Sequence, residues 1–203
     1  MDWHNRDLYL IFTPSLCTAD PWMTLDECLR AGIGLVQWRT PAVEPEELER
    51  CAMACGEYGV PLIVNNDVHA AASCPGVAGA HLGQDDMAPD LARASLRADQ
   101  VLGISSHDLD QARQAVADDA DCIGIGPCHA TTTKGYRSGL PPSILSAVFE
   151  NISLPTYAIG GITADRLPAL RELGCQRVAV SQAILGAARP GREVERLLTA
   201  LRH

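Results

Sequence analysis

Short apolar or β-branched runs recur along the chain at Leu8–Phe12, Leu35–Trp38, Leu62–Val64, Ala80–Leu82, Val101–Ile104, Cys122–Ile125, Thr156–Ile159 and Arg177–Val180. These runs are continuous rather than alternating with polar positions, the pattern of parallel strands covered on both faces. Helical patterns separate them, so their order predicts repeated βα units. Helix signals fall between the runs. Thr24 and Glu27 have capping-box spacing, Pro45 suits a first helical turn, Gly59 suits a stop, and Asp108, Thr163 and Pro190 can open later helices. The segment Pro75-Gly76-Val77-Ala78-Gly79 breaks up the approach to the fourth strand, which places its start at Ala80.

Eight strands fit either a closed barrel or an open doubly wound sheet. No Gly-x-Gly-x-x-Gly follows the first run, where an open dinucleotide-binding sheet would carry it. Polar clusters instead follow nearly every strand. They are Gln37 and Arg39, Asn65-Asn66-Asp67, Gly83-Gln84-Asp85-Asp86, Ser105-Ser106-His107, Thr131 to Lys134, Gly160-Gly161, and Ser181-Gln182. A barrel gathers all of these on one rim, whereas an open sheet spreads them along its edge. The fold expected is therefore α/β, a single (β/α)8 TIM barrel over residues 1–203.

Composition agrees with that expectation. With 203 residues, 47% of them hydrophobic and 20% charged, the chain can bury a sizeable core. Its opening residues lack a signal-peptide pattern and no apolar run reaches spanning length, so a cytosolic location is expected. The eight cysteines then belong to a reducing compartment and read as small buried side chains. Cys51 and Cys55 have no further partner that would complete a metal site. The net charge of −9 argues against nucleic acid or an anionic membrane as a partner, so any phosphate must be held by local groups. Self-association into a homo-oligomer is left open.

Three clusters carry candidate chemistry. Gly160-Gly161-Ile162-Thr163 closes a strand and opens a helix, and its glycines allow backbone N–H groups to approach an anion. With the loop after Val180 it matches the phosphate site that barrels often build from strands 7 and 8. Thr131-Thr132-Thr133-Lys134 offers hydroxyls and an ammonium of the kind a pyrophosphate needs. Asp67, Asp85 and Asp86, with the amide oxygens of Asn65 and Asn66, are hard oxygen donors suited to Mg²⁺ shared with substrate phosphates, although such residues also serve as caps and turn formers. Adjacent Cys128 and His129 stand at a strand end and point to opposite sides, which disfavours a catalytic pair. His81 reads as an interior histidine, and Trp38 as an outward side chain packed beneath a helix.

Taken in order, Val36-Gln37-Trp38-Arg39, Ile63-Val64-Asn65-Asn66-Asp67, His81-Leu82-Gly83-Gln84-Asp85-Asp86, Gly103-Ile104-Ser105-Ser106-His107, Gly126-Pro127, Thr131-Thr132-Thr133-Lys134 and Ala158-Ile159-Gly160-Gly161-Ile162 resemble the thiamine-phosphate synthase family and its thiazole tautomerase branch. The resemblance runs from about Leu8 to Ile184. It implies a Mg²⁺-using transferase that joins a hydroxymethylpyrimidine pyrophosphate to a hydroxyethylthiazole phosphate and releases pyrophosphate. Carried over by position, Gln37, Arg39 and Asn65 would face the pyrimidine pyrophosphate, with Asn66 and Asp86 as metal ligands. Ser105 and Lys134 would contact the departing pyrophosphate, and Thr131 and Thr133 would lie near the thiazole. Gly160, Gly161, Ser181 and Gln182 would hold the thiazole phosphate.

Two positions depart from the family pattern. Pro41 stands where the family usually has a lysine, removing one cation from the pyrophosphate site, and Asn66 stands where it has an aspartate, lowering the charge offered to a metal unless Asp67 or Asp85 compensates. Two rival functions follow. A tautomerase would use His107 as acid or base and would need neither metal nor pyrophosphate. A non-catalytic relative would bind a thiazole or thiamine phosphate without turnover.

Overall fold

Eight strands form where the apolar runs stand: β1 (Leu8–Phe12), β2 (Leu35–Trp38), β3 (Leu62–Asn65), β4 (Val77–Leu82), β5 (Val101–Ser106), β6 (Cys122–Ile125), β7 (Thr156–Ile159) and β8 (Arg177–Val180). They come from a computed structural model that describes residue 2, residues 6–130 and residues 138–202. Each strand pairs in parallel with its sequence neighbours, and β8 pairs with β1, so the sheet closes into a barrel in the order β1 to β8. Around it lie α1 (Pro21–Arg30), α2 (Pro45–Glu57), α3 (Val68–Ser73), α4 (Pro89–Ser95), α5 (Leu109–Ala117), α6 (Pro142–Asn151), α7 (Leu167–Glu172), the short α8 (Gln182–Leu185) and α9 (Pro190–Arg202). None of the described helices is long and apolar enough to cross a membrane.

Strand pleating sorts the core into two layers, because successive side chains point to opposite faces. Tyr9, Ile11, Leu35, Ile63, Val101, Cys122, Tyr157 and Ala179 form a cluster inside the barrel. Their chain neighbours, among them Leu10, Val36, Val64, Leu102, Ile123, Ala158 and Val178, join the larger cluster between strands and helices. Both faces are therefore covered, which is why the runs read as continuous. Trp38 is fully buried in the outer layer, its ring 5.8 Å from Phe12 and stacked 6.0 Å from Trp22, with Arg50 seated over Trp22 at 4.2 Å.

The fourth strand begins three residues before Ala80. Gly79 makes this possible, since a Cβ there would collide with the Val101 carbonyl of β5, and a register irregularity at Leu62/Ile63 absorbs the broken approach. The proposed capping box at Thr24 and Glu27 is not formed. Asp20 caps α1 instead, its Oδ1 accepting from the backbone N–H of Trp22 at 3.0 Å and Met23 at 2.9 Å, while Pro21 takes the first position. Thr24 thus lies inside the helix and is buried. Asp108 caps α5 through Gln111 N–H at 2.8 Å, and Gly59, at φ 64°, follows the end of α2. Thr163 precedes a short 3-10 turn but gives it no side-chain cap.

Candidate active site

The C-terminal ends of the strands open into a cavity of about 150 Å³. A void of roughly that size accepts a benzene-sized ring. Its floor is aromatic, with the rings of Tyr9 and Tyr157 in edge contact at 5.2 Å. The Tyr157 hydroxyl donates to the Arg6 carbonyl at 2.6 Å, closing the barrel beneath it. Gln37 stands one pleat above Leu35, is buried, and donates from Nε2 to the Tyr9 hydroxyl at 2.9 Å. That bond uses one of the two amide N–H donors and fixes the amide's orientation, while Oε1 can accept from a ligand.

Arg39, just beyond β2, is half-buried and lines the same cavity. Its backbone N–H is tied to the Phe12 carbonyl at 2.9 Å, but no described residue holds its guanidinium by a hydrogen bond or ion pair. In an acidic protein, a cation without a partner among the described residues is a ready contact for an anion. Across the mouth, Gly160 and Gly161 take φ values of 103° and 61°. Side chains there would also clash, because a Cβ on Gly160 would lie 2.7 Å from Pro127 Cα and one on Gly161 2.7 Å from the Ala130 carbonyl. Both carbonyls of this turn are occupied from behind, Gly160 by His129 N–H at 3.1 Å and Gly161 by Arg166 Nη1 at 2.5 Å. The N–H groups are what remains to serve an anion in the cavity. Ser181, at the end of β8, lines the cavity beside Gln182, and its buried Oγ has no partner among the described residues.

Ser105 and His107 complete the wall. The Ser105 hydroxyl lies 3.1 Å from His81 Nε2, and its carbonyl accepts from Gln84 Nε2 at 2.6 Å. His107 Nδ1 lies 2.5 Å from the Gly126 carbonyl. A carbonyl only accepts, so Nδ1 carries a proton and the ring is held in one orientation.

Gln37, Arg39, Asn65, Ser105, His107, Gly160, Gly161, Ser181 and Gln182 thus share one cavity. Asn66 and Asp86 are exposed in neighbouring loops outside it. Asn66 has φ 65°, and its N–H bonds the His81 carbonyl at 2.9 Å, which sets it beside the turn after β4. Asp86 Oδ2 closes that turn by accepting from Gly83 N–H at 2.6 Å. Asp67 is already engaged as the cap of α3, accepting from Ala70 N–H at 2.8 Å. Among the described residues no three His, Cys, Asp or Glu side chains are grouped to hold a metal. Thr131, Thr133 and Lys134 lie outside the described residues.

Cys128 and His129 do not form an activated pair. Burial pushes the Cys128 thiol up to about 12, and burial followed by the nearby Arg166 charge pulls the His129 imidazole below its ordinary value. Both shifts favour the neutral forms, the reverse of a thiolate–imidazolium couple. Two contributors had no local mark in the sequence: Tyr9, which orients Gln37, and Arg166, which backs the Gly161 peptide. His81 is the interior histidine its place on the strand suggested, and its contact with Ser105 is what the sequence did not show.

These features define a (β/α)8 barrel whose strand C-termini carry one polar mouth, the face on which enzymes of this architecture build their active sites. The chain belongs to the thiamine monophosphate synthase family, whose sequence model matches residues 8–184. It is 40% identical to a thiamine-phosphate synthase of Geobacillus thermodenitrificans over 88% of this chain and 84% of that one. A thiamine-phosphate synthase of Methanobrevibacter smithii is 32% identical over 96% and 94%. Against that of Synechococcus sp. CC9605 the identity is 36% over 96% of this chain but 55% of the relative, so the chain spans about half the length of some relatives it matches. In structure it is similar to thiamine phosphate pyrophosphorylase from Pyrococcus furiosus, with a TM-score of 0.86 at 24% identity over 98% of this chain and 96% of that one. A 3-hexulose-6-phosphate synthase shares the fold at a TM-score of 0.71 and 16% identity, over 96% and 99%.

Proposed function

We propose that the protein joins a hydroxymethylpyrimidine pyrophosphate to a hydroxyethylthiazole phosphate, giving thiamine phosphate and free pyrophosphate. The observation that carries this reading is the convergence on one ring-sized cavity of a cation without a partner among the described residues, Arg39, and a glycine turn whose carbonyls are occupied from behind. Two anionic groups would thereby be served from different strand ends, β2 and β7, with β8 and β1 between them.

The chemistry asks for charge management rather than proton transfer. The carbon–oxygen bond to pyrophosphate breaks with its electrons leaving on oxygen, a pyrimidine-stabilised carbocation remains, and the thiazole nitrogen lone pair closes the carbon–nitrogen bond. No proton changes hands. Gln37 Oε1 would accept from the pyrimidine ring, Arg39 and the Ser105 hydroxyl would answer the charge on the leaving group, and the Gly160–Gly161 turn with Ser181 would anchor the thiazole phosphate. Holding both substrates this way contributes through proximity and through dipoles fixed before reaction. A Mg²⁺ ion would be held by Asp86 and the amide oxygen of Asn66. Two hard donors suit an ion that keeps several waters and shares substrate phosphates. When bound it supplies positive charge to the leaving pyrophosphate.

His107 supports a second reading, a thiazole tautomerase, because its ring lines the cavity with Nδ1 committed to Gly126 and could exchange a proton through the other nitrogen. One assay separates the two. The purified protein, given both substrates with and without Mg²⁺, is expected to form thiamine phosphate only with metal. Absence of thiamine phosphate, together with isomerisation of a non-aromatic thiazole phosphate, would replace the transferase by the tautomerase.

A further inference from the structure

His81 is one of the few polar side chains buried inside the barrel, at 7% exposure, and it lines the cavity. The space for its ring is made by missing side chains on the next two strands. A Cβ on Gly103 of β5 would collide with Nδ1 and lie 3.1 Å from Cε1, and one on Gly124 of β6 would come within 3.4 Å of Nε2. The register pairs His81 with Gly103, so the ring leans along β5 to reach the next inward residue, Ser105, at 3.1 Å. The Ser105 carbonyl is pinned separately by Gln84. Backbone and hydroxyl of this serine are therefore held from two sides by the segment from His81 to Gln84.

A serine hydroxyl has one proton and a free rotor. If Ser105 gave that proton to the imidazole, only lone pairs would face an anion in the cavity. If the imidazole donates from Nε2 instead, one lone pair of Oγ is occupied and the proton is available to the anion. We propose that His81 is a positioning residue, donating from Nε2 to Ser105 so that the hydroxyl proton is turned toward the departing pyrophosphate. This rests on the reading of Ser105 as a contact of that leaving group.

The test is a double-mutant cycle on thiamine phosphate formation. His81→Leu keeps volume without a donor, His81→Asn carries an amide too short to reach Oγ, and His81→Gln returns an N–H at similar reach. With folding checked by thermal melting, the first two are expected to lower kcat by about tenfold, the scale of one lost hydrogen bond in the transition state, while His81→Gln restores most of it. In a Ser105→Ala background, His81→Leu or His81→Asn should cost nothing more. Full additivity, or unchanged kcat in His81→Asn, would show that the ring only fills space and would overturn the proposal. Wild-type protein that makes no thiamine phosphate would overturn the site reading and this inference together, whereas active wild type with an additive cycle removes the inference alone.

Discussion

Arg39 and Gly160 show how single residues set the character of the mouth. Arg39 has no partner among the described residues to lose, so Arg39→Gln should leave stability within about 0.5 kcal/mol of wild type. The charge-assisted contact to pyrophosphate proposed for it would vanish, lowering kcat/KM by about 10- to 100-fold. Melting curves and steady-state kinetics check the pair, and loss of stability with unchanged kcat/KM would reverse the assignment. Gly160 is the opposite case. At φ 103°, with Pro127 Cα in the path of a side chain, Gly160→Ala should cost about 1–3 kcal/mol and weaken binding of the thiazole phosphate. Gly160 and Arg39 were both legible in the sequence because each sits in a run whose residue types announce a strand end. Tyr9 and Arg166 were not, and of His81 only its interior place was, not its partner. Tyr9 meets Gln37 28 positions away and His81 meets Ser105 24 away, pairings that exist only once neighbouring strands are in register.

At the scale of elements, the helix starts separate what local spacing can and cannot decide. Both Asp20-Pro21 and Thr24/Glu27 are valid start signals, and the structure uses the first because Thr24 is wanted in the buried face of α1. Asp20→Ala should therefore destabilise the protein by about 1 kcal/mol in chemical denaturation, while Glu27→Ala should cost less than half of that. A larger effect at Glu27 would restore the capping box. The strands were legible because burial on both faces makes each of them a continuous apolar run. The fourth ran longer than its pattern, since Gly76 and Gly79 look like turn residues in one dimension, whereas Gly79 is a point of close approach between β4 and β5. Asp67 illustrates the same limit at the candidate metal site. Its sequence neighbours suggest a ligand, but its carboxylate faces the open end of α3.

On the scale of the whole molecule, the cysteines report the integrity of the barrel. All eight are free thiols, and every one except the half-buried Cys17 is buried. Burial pushes Cys28, Cys122 and Cys128 up to about 12 and Cys175 to about 11, against an ordinary value of 9.0. The folded state thus holds these protons more tightly than the unfolded chain. Their contribution to stability is full below pH 9 and is lost as pH rises toward 11 to 12. Denaturation midpoints should fall across that window, and thiol labelling of native protein at pH 8 should modify one cysteine quickly against eight in denaturant. Fast labelling of several native thiols would contradict the packing described.

In the proposed function, the barrel, its ring-sized cavity and its polar mouth serve one chemical outcome, two substrates joined with release of a single pyrophosphate. The stoichiometry of the reaction tests this most directly. Pyrophosphate and thiamine phosphate should appear in equal amounts, and only when both substrates are supplied. Pyrophosphate released without the thiazole phosphate, or neither product from folded protein, would contradict the account.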